Sequence, residues 1–300
     1  TGGVFKIDTK THEVVSTVKF PHSIGLFYSA ITQYLGFRPN SDEWKIMALA
    51  SMGHSDNYKN EFSKMIKVGE DAFNGLLEID LSYFDYYNFF TPGYTSDKFI
   101  SQFGIPRKPN EPLEQKHKDI AKALQEIVEE KVIELLSMLN KKFPSEKNLC
   151  LSGGFFMNSA LNGKIRKQTS FNDPFIGATP DDTGIALGSA ILSLRQNNEV
   201  KITKQIHNSF GPNYNNDEII HELEISKINF QEISNLEEDA SKNLAEGKII
   251  GWFQGKSELG QRALGNRSIL ASPTFDWMKD NINKYIKFRE EFRPFAPAIL

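Results

Sequence analysis

The stretch that decides the fold is residues 148–158, which read NLCLSGGFFMN. Residues 148–151 have the length and apolar character of a buried strand, and a helical pattern begins at Phe155. Ser152, Gly153 and Gly154 separate the two. A strand followed by a glycine turn and a helix is typical of the crossover units that build α/β domains. We therefore expect an α/β fold.

The elements around this stretch continue the alternation. A long helix is predicted from about Pro112 to Lys141, because apolar residues recur there at helical spacing. The residues on this face are Ile120, Ala123, Leu124, Ile127 and Val128. A strand near 174–178 and a helix over 182–194 should follow. The α/β class is thus supported on both sides of the glycine turn.

The first part of the chain is predicted to be a hairpin followed by two helices. The hairpin pairs residues 4–8 with residues 13–20. The helices cover residues 24–34 and 42–50, the second capped by Ser41. Residues 83–110 are aromatic and rich in turn-forming residues, and we expect no regular structure there.

Two domains are expected. The polar, turn-rich residues 198–217 are the best linker candidate, which assigns residues 1–197 to the first domain and 218–300 to the second. The predicted elements of the second domain are a helix near 235–246, a strand over 248–253, a glycine- and arginine-rich loop at 255–266 and a helix near 274–286.

Composition and charge exclude several functional classes. Cys150 is the only cysteine, which excludes an internal disulfide and fits a reducing compartment such as the cytoplasm. No apolar run approaches the roughly 18 residues of a membrane span, so we expect no membrane partner. The net charge of -3 disfavours a general nucleic-acid surface. The last 50 residues carry eight Lys and Arg against five Asp and Glu, which suits a small anionic ligand.

The turn formed by Ser152, Gly153 and Gly154 is a candidate phosphate site. Free backbone N–H groups and the helix dipole favour an anion at such a helix start, and glycines let the ligand approach closely. Asn158, one turn into the helix, is expected to face either the ligand or solvent. A tight turn that merely needs a positive φ explains the glycines equally well.

Asp181 and Asp182 repeat this arrangement at the next connection from strand to helix. Helix capping is the simpler explanation of an aspartate at this place. The alternative is a hard oxygen ligand for a divalent metal. A single carboxylate cannot hold a metal, and the six histidines form no HxxxH or HExxH pair.

The C-terminal region concentrates cations. Residues 255–267 contain three cations and three glycines, and a second group lies within residues 284–297. The second group consists of Lys284, Lys287, Arg289 and Arg293. Such runs are usually solvated surfaces. The interleaved glycine and aromatic residues favour an ordered pocket that binds an oxyanion through guanidinium groups.

These segments together resemble the O-carbamoyltransferases of nodulation-factor, cephamycin and tobramycin biosynthesis. The resemblance covers nearly the whole chain and rests on four groups of residues. They are PHSIG (21–25) with EWKIMALA (43–50), LSGGFFMN (151–158), PDDTGIALG (180–188), and GWFQG (251–255) with RALGNRSIL (262–270), KFRE (287–290) and FRPFAP (292–297).

The resemblance implies an actin- and sugar-kinase-like ATPase domain, similar to the tRNA threonylcarbamoyl-transferase. The first part of a domain similar to threonylcarbamoyl-adenylate synthase would follow. It further implies that carbamoyl phosphate and ATP yield carbamoyl adenylate and pyrophosphate, and that a hydroxyl, typically of a sugar, then accepts the carbamoyl group. The alternatives are a sugar-kinase-like ATPase and a non-catalytic nucleotide-binding piece. The sugar-kinase alternative does not explain the loop from Arg262 to Arg267 or the FRPFAP segment.

The same resemblance implies roles for single residues. Carbamoyl phosphate would be held by Arg262, Arg267, Lys287, Arg289 and Arg293, of which Arg262, Arg267 and Lys287 are the expected catalytic residues. The nucleotide would be held by Glu43, Lys45, Ser152, Gly153, Gly154 and Asn158. Asp182 matches the metal-binding aspartate of the family, which usually binds Fe(II) or another divalent ion. Mg²⁺ accompanying ATP is a further candidate.

The sequence departs from the family pattern in two places. Family members carry an HHxxHA motif, which supplies the other metal ligands, upstream of the point where this chain begins. Their C-terminal domain also extends further. We therefore expect this piece, taken alone, to be inactive.

Overall fold

The computed structural model describes residues 2–8, 11–69, 76–171, 173–196 and 207–299. They form two compact units, one up to Ile176 and one from Gly177 onward. This division falls before the predicted domain boundary at 197. Residues 198–206 of the predicted linker lie outside the described residues. The linker ends within the first turn of a helix that begins at Asn216.

The first unit opens with the predicted hairpin, formed by β1 (Gly2–Ile7) and β2 (His12–Val18). Its helices are α1 (Ile24–Tyr34), α2 (Glu43–Ala50), α3 (Lys59–Ser63), α4 (Asp97–Phe103), α5 (Gln115–Lys142) and α6 (Ser159–Gln168). The remaining strands are β3 (Ile66–Val68), antiparallel to β4 (Leu77–Ile79), and β5 (Cys150–Leu151), parallel to β6 (Phe175–Ile176). Because α6 connects β5 to β6, this pair has the form of a crossover unit.

Helix α5 supplies the centre of the core of the first unit. The five apolar residues predicted to share its face are all buried, each at most 1% exposed. Burying such a stripe against neighbouring elements supplies most of the stability of an amphipathic helix. The predicted inward face of α5 is therefore confirmed.

Two helix starts differ from their predicted positions. Helix α5 begins after the predicted Pro112, because Glu114 and His117 form a capping box at its start. Helix α2 has Asp42 at its N-cap position rather than the predicted Ser41.

The prediction that residues 83–110 lack regular structure is wrong. The Ser96 hydroxyl accepts the Phe99 N–H at the start of α4, and Phe99 and Phe103 lie one turn apart on the buried face of this helix. They belong to a buried aromatic cluster with Phe27, Phe62 and Phe84. The surrounding glycine and proline residues obscure this short helical pattern.

The second unit contains α7 (Gly184–Gln196), α8 (Asn216–Ile225), α9 (Leu236–Ala245) and α10 (Met278–Asn281). Its antiparallel strands are β7 (Ile250–Phe253) and β8 (Arg267–Leu270). One π-helical turn, Ile282–Ile286, continues α10, where the sequence predicts a single helix from about residue 274. Within the described ranges, no helix has the length and apolar character that crossing a bilayer requires.

Candidate active site

The glycine turn of the first unit joins β5 to α6. The predicted helix from Phe155 is instead a 3₁₀ turn, Gly154–Met157, followed by α6. Gly153 has a φ of 114°, a backbone conformation that side chains with a Cβ rarely adopt. Ser152 is exposed beside it. The turn thus requires its first glycine for conformation, and the 3₁₀ turn connects it to the N-terminus of α6, where the helix dipole favours anions.

Asn158 does not face solvent. It is 9% exposed, and its Oδ1 accepts the Leu161 N–H at 3.1 Å, so it caps α6. Its amide also pairs reciprocally with the amide of Gln125 on α5, with both donor–acceptor distances at 3.0 Å. The predicted nucleotide residue therefore holds the glycine turn against the core.

Gln125 is the centre of a buried polar network. Its Oε1 accepts the Tyr28 hydroxyl at 2.9 Å, and its Nε2 donates to Glu129 at 2.7 Å, in addition to the Asn158 pair. Lys164 of α6 donates to the other carboxylate oxygen of Glu129. All four hydrogen-bonding positions of the Gln125 amide are thus occupied. Sequence reasoning missed this residue, because its position on α5 suggests only packing.

Glu43 also influences the buried phenol of Tyr28. Its carboxylate accepts the Asn40 N–H at 2.6 Å and the Ser29 hydroxyl. Burial raises the pKa of Tyr28 far above its usual value, and the carboxylates of Glu129 and Glu43 raise it further. Of the predicted nucleotide residues, Asn158 is thus linked to Tyr28 through Gln125, and Glu43 acts on Tyr28 through its charge.

Lys45, the remaining predicted nucleotide residue, is half-buried. Its ammonium group lies 3.2 Å from Asp42 and 5.5 Å from the ring centroids of both Phe37 and Trp44. Its charge is therefore compensated within α2 and its neighbouring loop.

Asp182, the predicted metal residue, is exposed at the start of α7 in the second unit. Its neighbour Asp181 accepts the Thr183 hydroxyl and, at 3.4 Å, the Gln261 side chain of the cationic loop. Among the described residues, no group of three or more His, Cys, Asp or Glu side chains comes together as a metal would need. Asp182 alone does not fit a metal site.

The cationic loop connects β7 to β8 and is organised by Glu258. One oxygen of its carboxylate accepts the backbone N–H groups of Leu264 at 2.7 Å and Asn266 at 2.8 Å, and more weakly that of Arg267. These hydrogen bonds lower the pKa of Glu258 to about 2. Sequence reasoning counted this residue only as a charge, although a single acid inside a glycine-rich loop is a signal of such a clamp.

Arg267 closes the same loop from its other end. Its two terminal nitrogens donate to the backbone carbonyls of Gln254, Asn266, Pro212 and Gly255 at 2.7–3.2 Å. Its guanidinium also lies 3.5 Å from the ring centroid of Phe253. All four terminal N–H groups are therefore used within the protein, and this arginine shapes the loop.

Three other cations of the predicted carbamoyl-phosphate site could still bind an anion: Arg262, Lys287 and Arg289. Arg262 and Lys287 are exposed and form no ion pair within the described part of the chain. Burial lowers the pKa of the Arg289 guanidinium; Glu290 opposes this shift, and the nearby positive charge of Arg262 adds to it. The charge of Arg262 therefore reaches Arg289. Arg293 lies 3.8 Å from the Glu290 carboxylate.

Two family models match most of the chain. Residues 4–191 match the model described as the carbamoyltransferase N-terminus, and residues 241–300 match the carbamoyltransferase C-terminus. The chain belongs to the carbamoyltransferase family. The glycine turn and Asp182 fall within the N-terminal match of this carbamoyltransferase chain, and the cationic loop falls within the C-terminal match.

Relatives extend over nearly the whole carbamoyltransferase chain. An uncharacterized protein of Synechocystis is 36% identical over 293 residues, which are 94% of this chain and 47% of that protein. Nodulation protein NolO of Bradyrhizobium diazoefficiens is 33% identical over 96% of this chain and 50% of its own length. Nodulation protein NolNO of Sinorhizobium fredii is 33% identical over 96% of this chain and 41% of its own length. The chain spans about half the length of these relatives, and the family resemblance is confirmed.

Proposed function

We propose that the whole protein is an ATP-dependent O-carbamoyltransferase. The observation that carries the proposal is the set of cations within the stretch that matches the carbamoyltransferase C-terminus, where Arg262 and Lys287 are exposed and form no ion pair among the described residues. Exposed cations without a paired acid attract a compact anion. Carbamoyl phosphate supplies a compact dianion for this place.

The proposed reaction has two stages, adenylation and transfer. Water releases phosphate from carbamoyl phosphate, and an oxygen of the resulting carbamate attacks the α-phosphorus of ATP, which displaces pyrophosphate and leaves carbamoyl adenylate. The acceptor hydroxyl then attacks the carbamoyl carbon, its proton leaves, and AMP departs. Adenylation is required because carbamate is a poor electrophile. Fixed cations stabilise the charge that develops on the phosphoryl oxygens.

The residues divide into two groups in this proposal. Arg262, Lys287 and Arg289 bind carbamoyl phosphate, with Arg293 beside them, whereas Arg267 orders the loop. The glycine turn that begins at Ser152 receives the nucleotide phosphates through its backbone N–H groups; a 3₁₀ turn joins it to α6, whose start is capped by Asn158. Glu43 and Lys45 complete the nucleotide site.

A divalent ion, Fe(II) by family resemblance, belongs to the proposal only for the whole protein. When bound, it would supply Lewis-acid polarisation of the carbamoyl carbonyl. Asp182 would provide one of several ligands. The proposed acceptor is a sugar-type hydroxyl, and the proposed location is the cytoplasm.

The test is carbamoyl-phosphate-dependent exchange of pyrophosphate into ATP by the full-length protein. We expect exchange only when carbamoyl phosphate is present. Phosphorylation of a sugar without carbamoyl phosphate would support the sugar-kinase alternative instead. Absence of both activities would support a non-catalytic nucleotide-binding role and would overturn the proposal.

Lys287 offers a matched pair of variants for this assay. Lys287→Gln removes an exposed cation of the proposed site and should lower exchange roughly 100-fold. Lys279→Gln removes an equally exposed lysine from α10 and should leave exchange unchanged. Equal effects of the two substitutions would show that net charge, not a defined site, governs the activity. The 300-residue chain alone should show no carbamoyl transfer.

A further inference from the structure

Asn283 is the most buried polar side chain near the cationic loop. It lies in the π-helical turn and is 0% exposed. Its Nδ2 donates to the backbone carbonyls of Glu291 at 3.2 Å and Arg293 at 3.0 Å, and its Oδ1 accepts the Nε–H of Arg289 at 2.6 Å. One amide therefore holds the following segment at three points.

The backbone around Arg289 is attached to the same residue. The Arg289 N–H donates to the Asn283 carbonyl at 3.0 Å, and the Lys287 N–H donates to the carbonyl of Ile282 at 2.8 Å. Between them, Phe288 has a φ of 47° although its side chain is 83% exposed. A left-handed conformation at a non-glycine residue persists only when surrounding contacts impose it. The contacts to Asn283 and Ile282 are the ones that do so here.

The guanidinium of Arg289 is held on one edge and one face. Its Nε–H is taken by Asn283, one Nη2 hydrogen points to the carbonyl of Pro294 at 3.4 Å, and the ring centroid of Phe295 lies 4.5 Å away. Both Nη1 hydrogens and the second Nη2 hydrogen have no acceptor within the described residues. Arg267, by contrast, has all its terminal hydrogens engaged.

We propose that Asn283 is a positioning residue that orients Arg289 so that its free Nη1 and Nη2 hydrogens grip two oxygens of a phosphate group. The inference rests on the proposed function, because it assigns the phosphate to carbamoyl phosphate. A guanidinium that is held at Nε still presents the paired terminal donors that match two phosphate oxygens. Prior orientation reduces the entropy lost when the anion binds.

The test is a double-mutant cycle on the full-length protein, with carbamoyl phosphate affinity measured by calorimetry. Asn283→Leu and Arg289→Lys should each weaken binding about tenfold, since each removes an oriented hydrogen bond to a charged group. If Asn283 acts through Arg289, the double variant should bind no more weakly than Arg289→Lys alone. Losses that multiply would overturn the inference. ATP affinity, measured in parallel, should stay unchanged.

A second measurement on the wild-type protein tests the inference if the Asn283 variant does not fold. In the wild-type protein labelled with ¹⁵N-arginine, the Nε–H signal of Arg289 is assigned by its loss in Arg289→Lys. This Nε–H should exchange with solvent more slowly than the Nε–H of the exposed Arg262. Exchange at the same rate would overturn the inference. If the wild-type protein neither binds carbamoyl phosphate nor catalyses exchange, the proposed function fails. In that case the positioning role is tested separately, with inorganic phosphate as the binding probe in place of carbamoyl phosphate. Slow exchange at Arg289 would then support the positioning role.

Discussion

The glycine turn of the first unit and the cationic loop of the second are the two proposed anion sites, and they are held in different ways. The glycine turn is fixed from inside the core by neutral amides that are 33 residues apart in the chain. The cationic loop is fixed at the surface by its own carboxylate and guanidinium, both bound to nearby backbone. The glycine turn therefore depends on global stability, whereas the cationic loop can loosen locally.

The largest loss of stability is expected when the centre of the buried network is removed. Gln125→Leu leaves the amide of Asn158, the hydroxyl of Tyr28 and the carboxylate of Glu129 buried without their partner. Several unsatisfied buried groups should lower the free energy of unfolding by about 3 kcal/mol or more. The measurement is denaturant unfolding of the chain. Gln102→Leu, at an exposed position of α4, is the control and should change stability by at most about 0.5 kcal/mol.

A smaller effect is expected from the backbone of the glycine turn. Gly153→Ala meets no atom within 4 Å of the added Cβ, so its cost arises only from the φ of 114°. We expect a loss of about 1–2 kcal/mol and weaker ATP binding. Gly163→Ala is the matched control, because it too has open space but lies inside α6. It should be neutral or stabilising by up to about 1 kcal/mol. Equal effects would contradict the assigned role of Gly153.

The smallest effect on overall stability is expected in the cationic loop. Its clamp requires the ionised form of Glu258, whose pKa is lowered from 4.5 to about 2. The contribution is therefore complete above about pH 4.5 and is lost as the pH falls toward 2. Amide exchange of Leu264 and Asn266 should accelerate over this range relative to Ile269 of β8. Glu258→Gln should show fast exchange of both amides already at pH 6.

Glu246→Gln is the control for that experiment. The pKa of Glu246 is also lowered, mainly by its hydrogen bond from Lys248, but its carboxylate does not bind the loop backbone. Exchange of Leu264 and Asn266 should therefore be unaffected. If acid or Glu258→Gln lowered the unfolding free energy of the second unit as a whole, the distinction between local and global dependence would fail.

Local patterns predict more of this molecule than its long-range contacts. The buried face of α5, the glycine turn and the cationic loop are all visible as spacing or composition within a few residues. The roles of Gln125 and Asn283 cannot be predicted from local sequence, because the groups they orient lie on other elements or beyond an irregular turn. Arg267 shows the converse: composition marks it as a ligand residue, but four backbone carbonyls surround it. Such a role depends on tertiary geometry alone.

The buried phenol of Tyr28 has a consequence for the direction of the network around it. Burial and two carboxylates keep its proton in place, and the hydroxyl donates it to the oxygen of the Gln125 amide. The Glu129 carboxylate accepts from the nitrogen of the same amide, and the Asn158 amide has one matching orientation. The phenol and the carboxylate together therefore orient both amides, and the Asn158 oxygen faces the Leu161 N–H at the start of α6.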